Sequence, residues 1–500
     1  MKKNYLWTLL LFCFLLSCSQ DKEFIPEETT SSLRTLADGN NDALGFSYDI
    51  TDNYLDIDAT KYRVIDMDKF AKDNPLLIYR PSSTKINQDI YAGSDSENML
   101  QDIIEKSGFS GSVGSKVLEE SGSTTKSIIK KLLPFTGTIK GGVNKEKQET
   151  YKYASCFSYA QAFIKKRVKR LYIDADANLL SNYLTEQFTK DINTKSADEL
   201  VAKYGTHVLA DITIGGSYNV IYRSSIVEET NTEIKKKTVT AGLNASLGKI
   251  GLDTNGSSTT EETKTYSTKN TNWQISIVCE AGEGTGTSMS FDSSTGITNT
   301  SINFHSWQAS VTDRNSKLVE VNWNKIFFIY DFIKDPTKKA AVKAAVVRYV
   351  AGRQLQLMSI IPMYTIYHTQ DKIHITTTGT LSDHLRSPYS TFVGIAGYCF
   401  PYQESTTIPL YEYLFKNTPE HIVTTDNYMN SNVSQKFIIG YVYPYQYPGT
   451  IPLNEYMGMP PGKNYGDHVT SAYSDVVQNY SRGNYKTNWN VGYVFPRLSK

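Results

Sequence analysis

The chain has 500 residues, 52 basic and 51 acidic, and its formal charge of +1 excludes a strongly cationic nucleic-acid binder and a polyanionic solvating protein. With 40% hydrophobic and 21% charged residues the composition is globular, and the length predicts two or three domains. Of the 35 tyrosines 18 follow Met358, as do 11 of the 16 prolines, and this shift in composition predicts a second domain there.

The N-terminus has the features of an export signal. Two lysines precede a 12-residue apolar run, Tyr5–Leu16, which is too short to span a bilayer as a helix but suits a secretory signal. Leu15–Cys18 resembles a lipobox, the site at which bacterial signal peptidase II cleaves before a cysteine that receives lipid. The sequence therefore predicts a signal peptide at residues 1–17, lipidation of Cys18 and a flexible tether at residues 18–42. An ordinary signal peptide with a chance cysteine is the alternative.

A capped helix followed by a strand is predicted in the middle of the chain. Ser196 is the N-cap, Glu199 is its capping-box partner and Gly205 is placed to end the helix. An alternating strand runs through residues 208–214 until Gly215–Gly216 interrupts it. Because two adjacent glycines lower the cost of bending a strand, we expect a bend there.

These residues resemble the signature of the membrane attack complex/perforin (MACPF) family, which reads aromatic-Gly-Thr-His and, several residues later, Gly-Gly. The matching residues are Tyr204, Gly205, Thr206, His207, Gly215 and Gly216. Leu44–Asp49 looks like the opening strand of the family, and Trp307–Val350 looks like its closing strand and helix. The resemblance covers about residues 43–352.

The resemblance implies an α+β fold for a domain at residues 43–355. In the MACPF fold a bent, twisted antiparallel sheet of four strands lies between two helical clusters. These clusters refold into membrane-spanning β-hairpins after the subunits assemble into a ring. His207 would then be a structural contact where the helix meets the strand.

Two windows in the expected clusters have the alternation that a membrane β-strand needs over ~9–11 residues. The apolar positions of the first window include Phe135, Ile139 and Val143. Those of the second window are Val239, Ala241, Leu243, Ala245 and Leu247. The pattern also fits ordinary half-buried strands, and in water the segments could fold as short helices. Both windows lie in segments rich in Gly, Ser, Thr and Lys that flank the core strands, where the MACPF family stores its hairpins, and this resemblance in position favours membrane-inserting hairpins.

Enzyme motifs are incomplete in this sequence. The loop at Gly282–Gly286 resembles a nucleotide loop, but Met289 replaces its last glycine, and Ser112 replaces the final glycine of a Gly-x-Ser-x-Gly motif. The cysteines outside the signal and the lipidation site are widely separated and lack metal-binding spacing. We therefore expect no enzyme, no catalytic residue, no cofactor and no metal.

Three units of about 45 residues repeat after Met358. Each begins with Ile-Pro and closes on Gly-Tyr and an aromatic residue, and His374, His421 and His468 recur at intervals of 47. The repetition predicts an all-β domain at residues 361–500 and favours a β-trefoil of four-stranded units over a three-bladed propeller.

Tyrosine-rich loops in this domain suit the binding of a sugar or a lipid headgroup, because rings stack on apolar faces while polar groups form hydrogen bonds. The candidate ligand-binding residues, which vary between the repeats, are Gln403, Glu404, Tyr445 and Tyr447. The three recurring histidines are interpreted as contacts that hold the repeats together.

The sequence thus predicts a pore-forming lipoprotein toxin of the outer membrane or cell surface, or one released in vesicles. It would dock on a glycan, a lipopolysaccharide or an outer-membrane protein of a target envelope, form a homo-oligomeric ring and insert two hairpins per subunit. By resemblance to bacterial family members that kill competing relatives, the expected target is another bacterium. The alternative is a non-lytic, glycan-binding surface adhesin with the same scaffold. Nucleic acid is not an expected partner.

Overall fold

The structure, a computed structural model, describes residues 42–52, 55, 59–107, 154, 156–252, 266, 269–270, 272–298, 302–352, 359–428, 430–460, 462–478 and 485–498. The predicted lipidation site and the first hairpin window lie outside these residues.

Two antiparallel sheets dominate the described residues up to 352. Their strands are β1 (Phe46–Tyr48), β2 (Thr60–Arg63), β3 (Ile78–Tyr79), β4 (Ile86–Gly93), β5 (Ser158–Ile173), β6 (His207–Leu209), β7 (Asp211–Ser224), β8 (Trp273–Glu280), β9 (Ser288–Asp292), β10 (Lys317–Val321) and β11 (Ile326–Phe328). The small sheet has the order β11-β6-β1-β2. The large sheet has the order β3-β5-β7-β8-β9, and β4 pairs with β5 and β10 with β7.

Helices pack against both sheets. They are α1 (Met67–Asp73), α2 (Ser96–Ser107), α3 (Ala177–Leu180), α4 (Glu186–Thr194), α5 (Ala197–Tyr204), α6 (Thr232–Ile250), α7 (Phe304–Ser310) and α8 (Pro336–Gly352). Single 3-10 turns occur at Pro75–Leu77, Asp313–Asn315, Trp323–Lys325 and Ile329–Phe332. The predicted mixture of helices with antiparallel sheets is confirmed. The long neighbours β4-β5-β7-β8 are the four-stranded core of the large sheet.

The strand predicted after α5 is divided into β6 and β7 at Ala210, which lies between the two strands. β6 joins the small sheet, whereas β7 joins the large one. β7 begins at Asp211, whose carboxylate is buried. The carboxylate accepts hydrogen bonds from the guanidinium of Arg170, with 2.8 Å between Oδ1 and Nε, and from the amide of Asn322. The chain therefore changes sheets at Ala210, four residues before the predicted alternation ends at Ile214.

Three three-stranded sheets form the C-terminal region. Their strands are β12 (Ile361–His368), β13 (Ile373–Thr377), β14 (Ser390–Cys399), β15 (Ile408–Phe415), β16 (His421–Thr424), β17 (Val433–Val442), β18 (Ile451–Gly458), β19 (Asp467–Ser471) and β20 (Lys486–Val494). The orders are β13-β12-β14, β16-β15-β17 and β19-β18-β20. Two short helices, α9 (Leu381–His384) and α10 (Asp475–Gln478), follow β13 and β19.

The predicted β-trefoil is not confirmed, because each unit supplies three strands in the described residues where a trefoil unit needs four. Each sheet has a middle strand with one strand on either side. We call β13, β16 and β19 the inner strands, because they contact one another across the three sheets. We call β14, β17 and β20 the outer strands, and these contact one another at their ends. All three sheets contribute to one apolar core that includes Met363, Leu410 and Leu453. The sequence predicts a threefold repeat in the second domain, and the structure forms this repeat as three sheets around a common core.

The two regions share a buried contact. Tyr398 of β14 is fully buried, its hydroxyl donates to Ser225 Oγ at 2.8 Å, and its ring meets that of Phe157 edge-on at 5.2 Å between centroids. Beside it, the rings of Phe400, Tyr443 and Phe495 pack against one another, one from each repeat. This aromatic end of the C-terminal region is continuous with the core of the small sheet.

Candidate functional site

The junction between α5 and β6 is built on a glycine. The Ser196 hydroxyl accepts from the Glu199 N–H, and the Glu199 carboxylate accepts from the Ser196 N–H, so the predicted capping box is present. Gly205 ends α5 with φ at +72°, and a Cβ there would lie 2.9 Å from the backbone of Asp49. A larger residue would be strained and would displace the chain that follows β1.

Thr206 and His207 hold the same junction. The Thr206 N–H donates to the Tyr48 carbonyl at 3.0 Å, and Thr206 Oγ1 accepts from the Ile50 N–H at 3.2 Å. The fully buried His207 places Nδ1 2.8 Å from Thr206 Oγ1 and its ring 4.4 Å from that of Phe328. These contacts connect β6 to β1 and to β11, which is the kind of structural role that the sequence predicts for His207.

Gly215 and Gly216 lie where other groups approach β7 closely. A Cβ at Gly215 would lie 1.9 Å from the carbonyl oxygen of Lys166 on β5, and one at Gly216 would lie 2.7 Å from Val311. At this level the register of β7 shifts against both β5 and β10. Register shifts of this kind bend and twist a strand locally. The predicted interruption of the strand is thus a site of close approach and irregular pairing.

Helix α7 covers this irregular part of the large sheet. The buried Trp307 donates from Nε1 to the Ala281 carbonyl at 3.0 Å, and its ring lies 4.8 Å from that of Tyr218. The Lys166 ammonium donates to the Val311 carbonyl at 2.9 Å, just beyond the end of α7. A movement of α7 would therefore change the packing above Gly216.

The second hairpin window, Val239–Leu247, lies inside α6. Asn231 caps this helix through its side chain, and Gly251 ends it in the left-handed conformation. The side chains at i, i+4 and i+8 that include Val239 and Leu243 are buried against the large sheet. An ordinary half-buried strand is therefore not found, and the window has the helical form that the sequence allows in water.

Helix α6 packs closely on β7. A Cβ at Gly242 would lie 2.6 Å from the hydroxyl oxygen of Tyr222, so the glycine allows the helix to approach the sheet. The Asn270 amide, which comes shortly before β8, donates to the Thr238 carbonyl at 2.8 Å. The helix is thus tied to the strand that precedes it and to the segment that leads into β8.

A charged cluster ties α6 to α2. Asp102 Oδ1 accepts from Lys236 of α6 at 2.9 Å, while Oδ2 accepts from Lys106 at 2.7 Å and from the Ala92 N–H at 3.0 Å. Burial acts to raise the pKa of Asp102, but these hydrogen bonds outweigh burial and the pKa lies below its ordinary value. Sequence reasoning missed this cluster, because only the Asp102 to Lys106 spacing is visible along one helix.

A second lysine of α6 is less favourably placed. Burial lowers the pKa of Lys235, although Asp95, Glu229 and Cys156 act in the opposite direction. The folded helix therefore disfavours the charged form of this lysine, and exposure to water would relieve that cost. The Asp102 cluster thus favours the packed position of α6, whereas the burial of Lys235 disfavours it.

The other predicted residues are distributed as follows. Cys18, Phe135, Ile139 and Val143 lie outside the described residues. Gln403, Glu404 and Tyr445 are exposed in the turns after β14 and β17, whereas Tyr447 is partly buried and its ring stacks 4.2 Å from that of Tyr443. Tyr447 thus packs on the aromatic end of the C-terminal region.

The three recurring histidines each bind a carboxylate inside the C-terminal region. The Nδ1 atoms of His421 and His468 lie 2.9 and 2.5 Å from glutamates of the adjacent strands, Glu412 and Glu455. His374 is paired instead with Asp467 of another unit at 2.7 Å. These partly or fully buried pairs join strands within and between units, as expected for residues that hold the repeats together.

In the part of the chain that the structure describes, no group of three or more His, Cys, Asp or Glu side chains is arranged to hold a metal ion. Within the same residues, no helix combines the length and the apolar character needed to cross a membrane.

Comparison with known proteins identifies the family. The family model of the MAC/Perforin domain matches residues 43–356, more than half of the chain, so the chain belongs to the MAC/Perforin domain family. The predicted family is confirmed. No curated protein matches.

Several solved structures are similar to this chain. A candidate cell invasion protein with a MAC/Perforin domain from Bacteroides thetaiotaomicron has a TM-score of 0.47 and 19% identity over 68% of this chain and 66%, just under two thirds, of that chain. GNIP1Aa from Chromobacterium piscinae has a TM-score of 0.47 and 13% identity over 90% and 81% of the two chains. Suilysin from Streptococcus suis, a cytotoxin, has a TM-score of 0.23 and 10% identity over 64% and 60%.

Proposed function

We propose that this protein is a pore-forming toxin of the cell surface that inserts two β-hairpins per subunit into a target membrane. The observation that carries the proposal is α6. Its sequence alternates as a membrane strand requires, yet its residues are stored as a helix on the large sheet. The segment thus suits two different folded states.

The order of the large sheet defines where the hairpins would form. Residues 94–157 connect β4 to β5, and residues 225–272 connect β7 to β8. Because these four strands are adjacent in the order β4-β5-β7-β8, extending them would produce two neighbouring hairpins in continuous register.

Insertion requires assembly first. A single open hairpin would expose unpaired backbone groups to hydrocarbon at a cost of several kcal/mol each, whereas a closed ring of hairpins pairs them all. We therefore propose that subunits form a homo-oligomeric ring on the target before α6 leaves the sheet.

The remaining parts of the proposal concern export and targeting. The N-terminal signal and Cys18 support an exported lipoprotein at the outer membrane or cell surface, or in released vesicles. The C-terminal region would dock on an envelope glycan, lipopolysaccharide or outer-membrane protein of another bacterium. We propose no enzymatic activity and no cofactor.

The proposal is tested by cross-linking α6 to α2. Asp102 would lie on the extension of β4 and Lys236 on that of β7, with the extension of β5 between them, so a link between these positions blocks both hairpins. The double variant D102C/K236C, joined by a reducible bifunctional thiol reagent, is expected to bind target envelopes without releasing an encapsulated dye.

The same double variant without the linker is the matched control, and reduction of the linker should restore dye release. Unchanged dye release by the linked protein would reject insertion of α6. Binding without any dye release by the wild type would favour the non-lytic adhesin instead, a function that the exposed aromatic side chains of the C-terminal region also suit.

A further inference from the structure

The three units of the C-terminal region meet at three equivalent junctions. We name β12–β14 repeat 1, β15–β17 repeat 2 and β18–β20 repeat 3; in each, a connection leads from the inner strand to the outer strand. Each connection begins with a hydrogen bond to the outer strand of the next repeat. The bonds are Thr378 Oγ1 to the Ile439 carbonyl at 2.7 Å, Thr425 Oγ1 to the Val491 carbonyl at 3.0 Å and Ala472 N–H to the Ala396 carbonyl at 2.9 Å. We name the junctions after their outer strands β17, β20 and β14.

Helix α10 closes the β14 junction. Val476 and Val477 of this helix pack on the sheet of repeat 3 and reach Val393 on β14. Gly394 lies directly beneath the helix, and a Cβ there would be 3.7 Å from Val476. Apolar side chains of the protein itself therefore fill this junction.

The β20 junction has the opposite character. The described residues of its connection, 425–428 and 430–432, form no helix. Gly394 stands three residues before the Gly-Tyr pair that all repeats share. The equivalent residue of β20 is Trp489, which is 41% exposed. Exposed tryptophans are uncommon on a protein surface, because burial of the indole removes a large apolar area from water.

The connection beside Trp489 is held in one conformation. The Tyr413 hydroxyl donates to the Asp426 carbonyl at 2.9 Å and accepts from the Tyr428 N–H at 3.0 Å, and the rings of Tyr413 and Tyr428 stack at 4.3 Å. Lys436 donates to the Asn427 side chain. The exposed residues Asp426 and Asn427 are therefore presented by a fixed backbone.

Tyr428 also lies near Glu455 of β18, the strand that pairs with β20. Burial raises the pKa of Tyr428, and the nearby Tyr413, Glu455 and Asp426 add to this effect. Glu455 is the register partner of Trp489 across β18 and β20. The polar connection and the indole thus belong to the same junction, because Thr425 of the connection bonds the Val491 carbonyl, two residues along β20 from Trp489.

We propose that the β20 junction binds a pyranose sugar of an envelope glycan, with Trp489 stacking on the sugar ring and Asp426 and Asn427 bonding its hydroxyls. A pyranose presents C–H groups on its face and hydroxyls at its edge, which matches an indole beside a carboxylate and an amide. A hydrocarbon ligand fits less well, because it would desolvate the carboxylate of Asp426. This inference rests on the proposed docking role of the C-terminal region.

The test is binding of the full chain to an array of immobilised mono- and oligosaccharides of hexoses and N-acetylhexosamines. We expect wild-type protein to bind at least one glycan and Trp489→Ala to bind it about tenfold or more weakly, because stacking is lost. Trp489→Tyr should retain most of the affinity. Phe437→Ala is the matched control: it occupies the same position at the β17 junction, is 48% exposed, and lies beside a connection that carries α9.

The bound glycan should also protect Trp489 from fluorescence quenching by acrylamide. Trp307 and Trp323 are buried, and the same measurement on Trp489→Ala subtracts the signal of the partly buried Trp273. Three results would overturn the proposal: no glycan bound by the wild type, equal binding by Trp489→Ala, or equal losses in Trp489→Ala and Phe437→Ala. Trp489-dependent binding to phosphatidylethanolamine/phosphatidylglycerol vesicles without glycan binding would assign the junction to lipid instead. Because the assay measures binding without dye release, its outcome is independent of whether the protein forms pores.

Discussion

Gly215 of β7 lies against backbone atoms, whereas the adjacent Gly216 lies against side chains. This difference predicts that substitution by alanine lowers the free energy of unfolding by different amounts at the two positions. Gly216→Ala would overpack against the side chains of Val311 and Trp307, so we expect a loss of about 1–3 kcal/mol in the free energy of unfolding. Gly215→Ala would collide with the backbone carbonyl of Lys166, which cannot rotate away, and should cost more. Urea unfolding of the two variants measures both values.

Gly248 provides the control for this comparison. It lies on the exposed side of α6, and no atom lies within 4 Å of a Cβ built there. Gly248→Ala should therefore stabilise the protein by about 0.5–1 kcal/mol through helix propensity. If Gly215→Ala were as mild as Gly216→Ala, the close approach of β5 to Gly215 would be wrong.

The histidines of the repeats show what repetition can predict about single residues. Their spacing of 47 predicts a shared structural role, and all three bind carboxylates. The partner of His374 was not predictable, because Thr365 stands where the other two repeats have Glu412 and Glu455. Repeat 1 takes its carboxylate from Asp467 of repeat 3, a contact that depends on how the sheets assemble.

At the scale of elements, the contact between α2 and α6 depends on the charge of Asp102. Because its pKa is lowered in the folded protein, its stabilising contribution is present above the ordinary carboxyl pKa of about 4 and is lost as the pH falls through the lower folded pKa. We expect Asp102→Asn to reduce the free energy of unfolding by about 1–2 kcal/mol at pH 7, allowing for the partial exposure of both lysines.

Urea unfolding of wild type and Asp102→Asn between pH 7 and pH 3 checks this expectation. The difference between the two proteins should shrink toward acid, because the wild-type carboxylate then becomes protonated. A difference that stays constant over this range would show that the charge of Asp102 does not hold α6. Asn keeps an acceptor for the Ala92 N–H, which isolates the ionic part of the contact.

Local signals predicted elements well where one segment determines its own structure. The capping box of α5, the glycine at its end and the proline at the start of α8 are such signals. The division between β6 and β7 was missed, because the alternation continues through Ala210 and Asp211. Only the pairing partners, β11 for β6 and β5 for β7, show that the two strands belong to different sheets. Likewise, the alternation in Val239–Leu247 is compatible with a strand and with a helix. The segment forms a helix in the structure, where it packs on β7.

At the scale of the whole molecule, Tyr398 should make the two regions unfold together. Tyr398→Phe keeps the ring but loses the hydrogen bond to Ser225, about 0.5–1.5 kcal/mol, whereas Tyr398→Ala also leaves a cavity against Phe157 and should lose about 3–5 kcal/mol. Thermal unfolding of wild type should show one transition. Two separate transitions in the wild type, or equal effects of the two substitutions, would contradict this coupling.

The family and the threefold repeat were predictable because both leave short motifs in the sequence. The number of strands in each repeat was not, because residues between the inner and outer strands form helices in repeats 1 and 3 and none in the described residues of repeat 2. A repeat period fixes how many units exist. The path of the chain inside a unit depends on packing between units.

The double periodicity of α6 constrains its evolution. Val239, Leu243 and Leu247 satisfy both a three-to-four-residue and a two-residue spacing, so a polar replacement at any of them would damage the stored helix and also the lipid-facing strand that we propose. Ala245 belongs to the alternating set but is only partly buried in the helix. If the proposed insertion occurs, packing in the stored helix therefore restricts a substitution at this alanine less than one at the buried members of the alternating set.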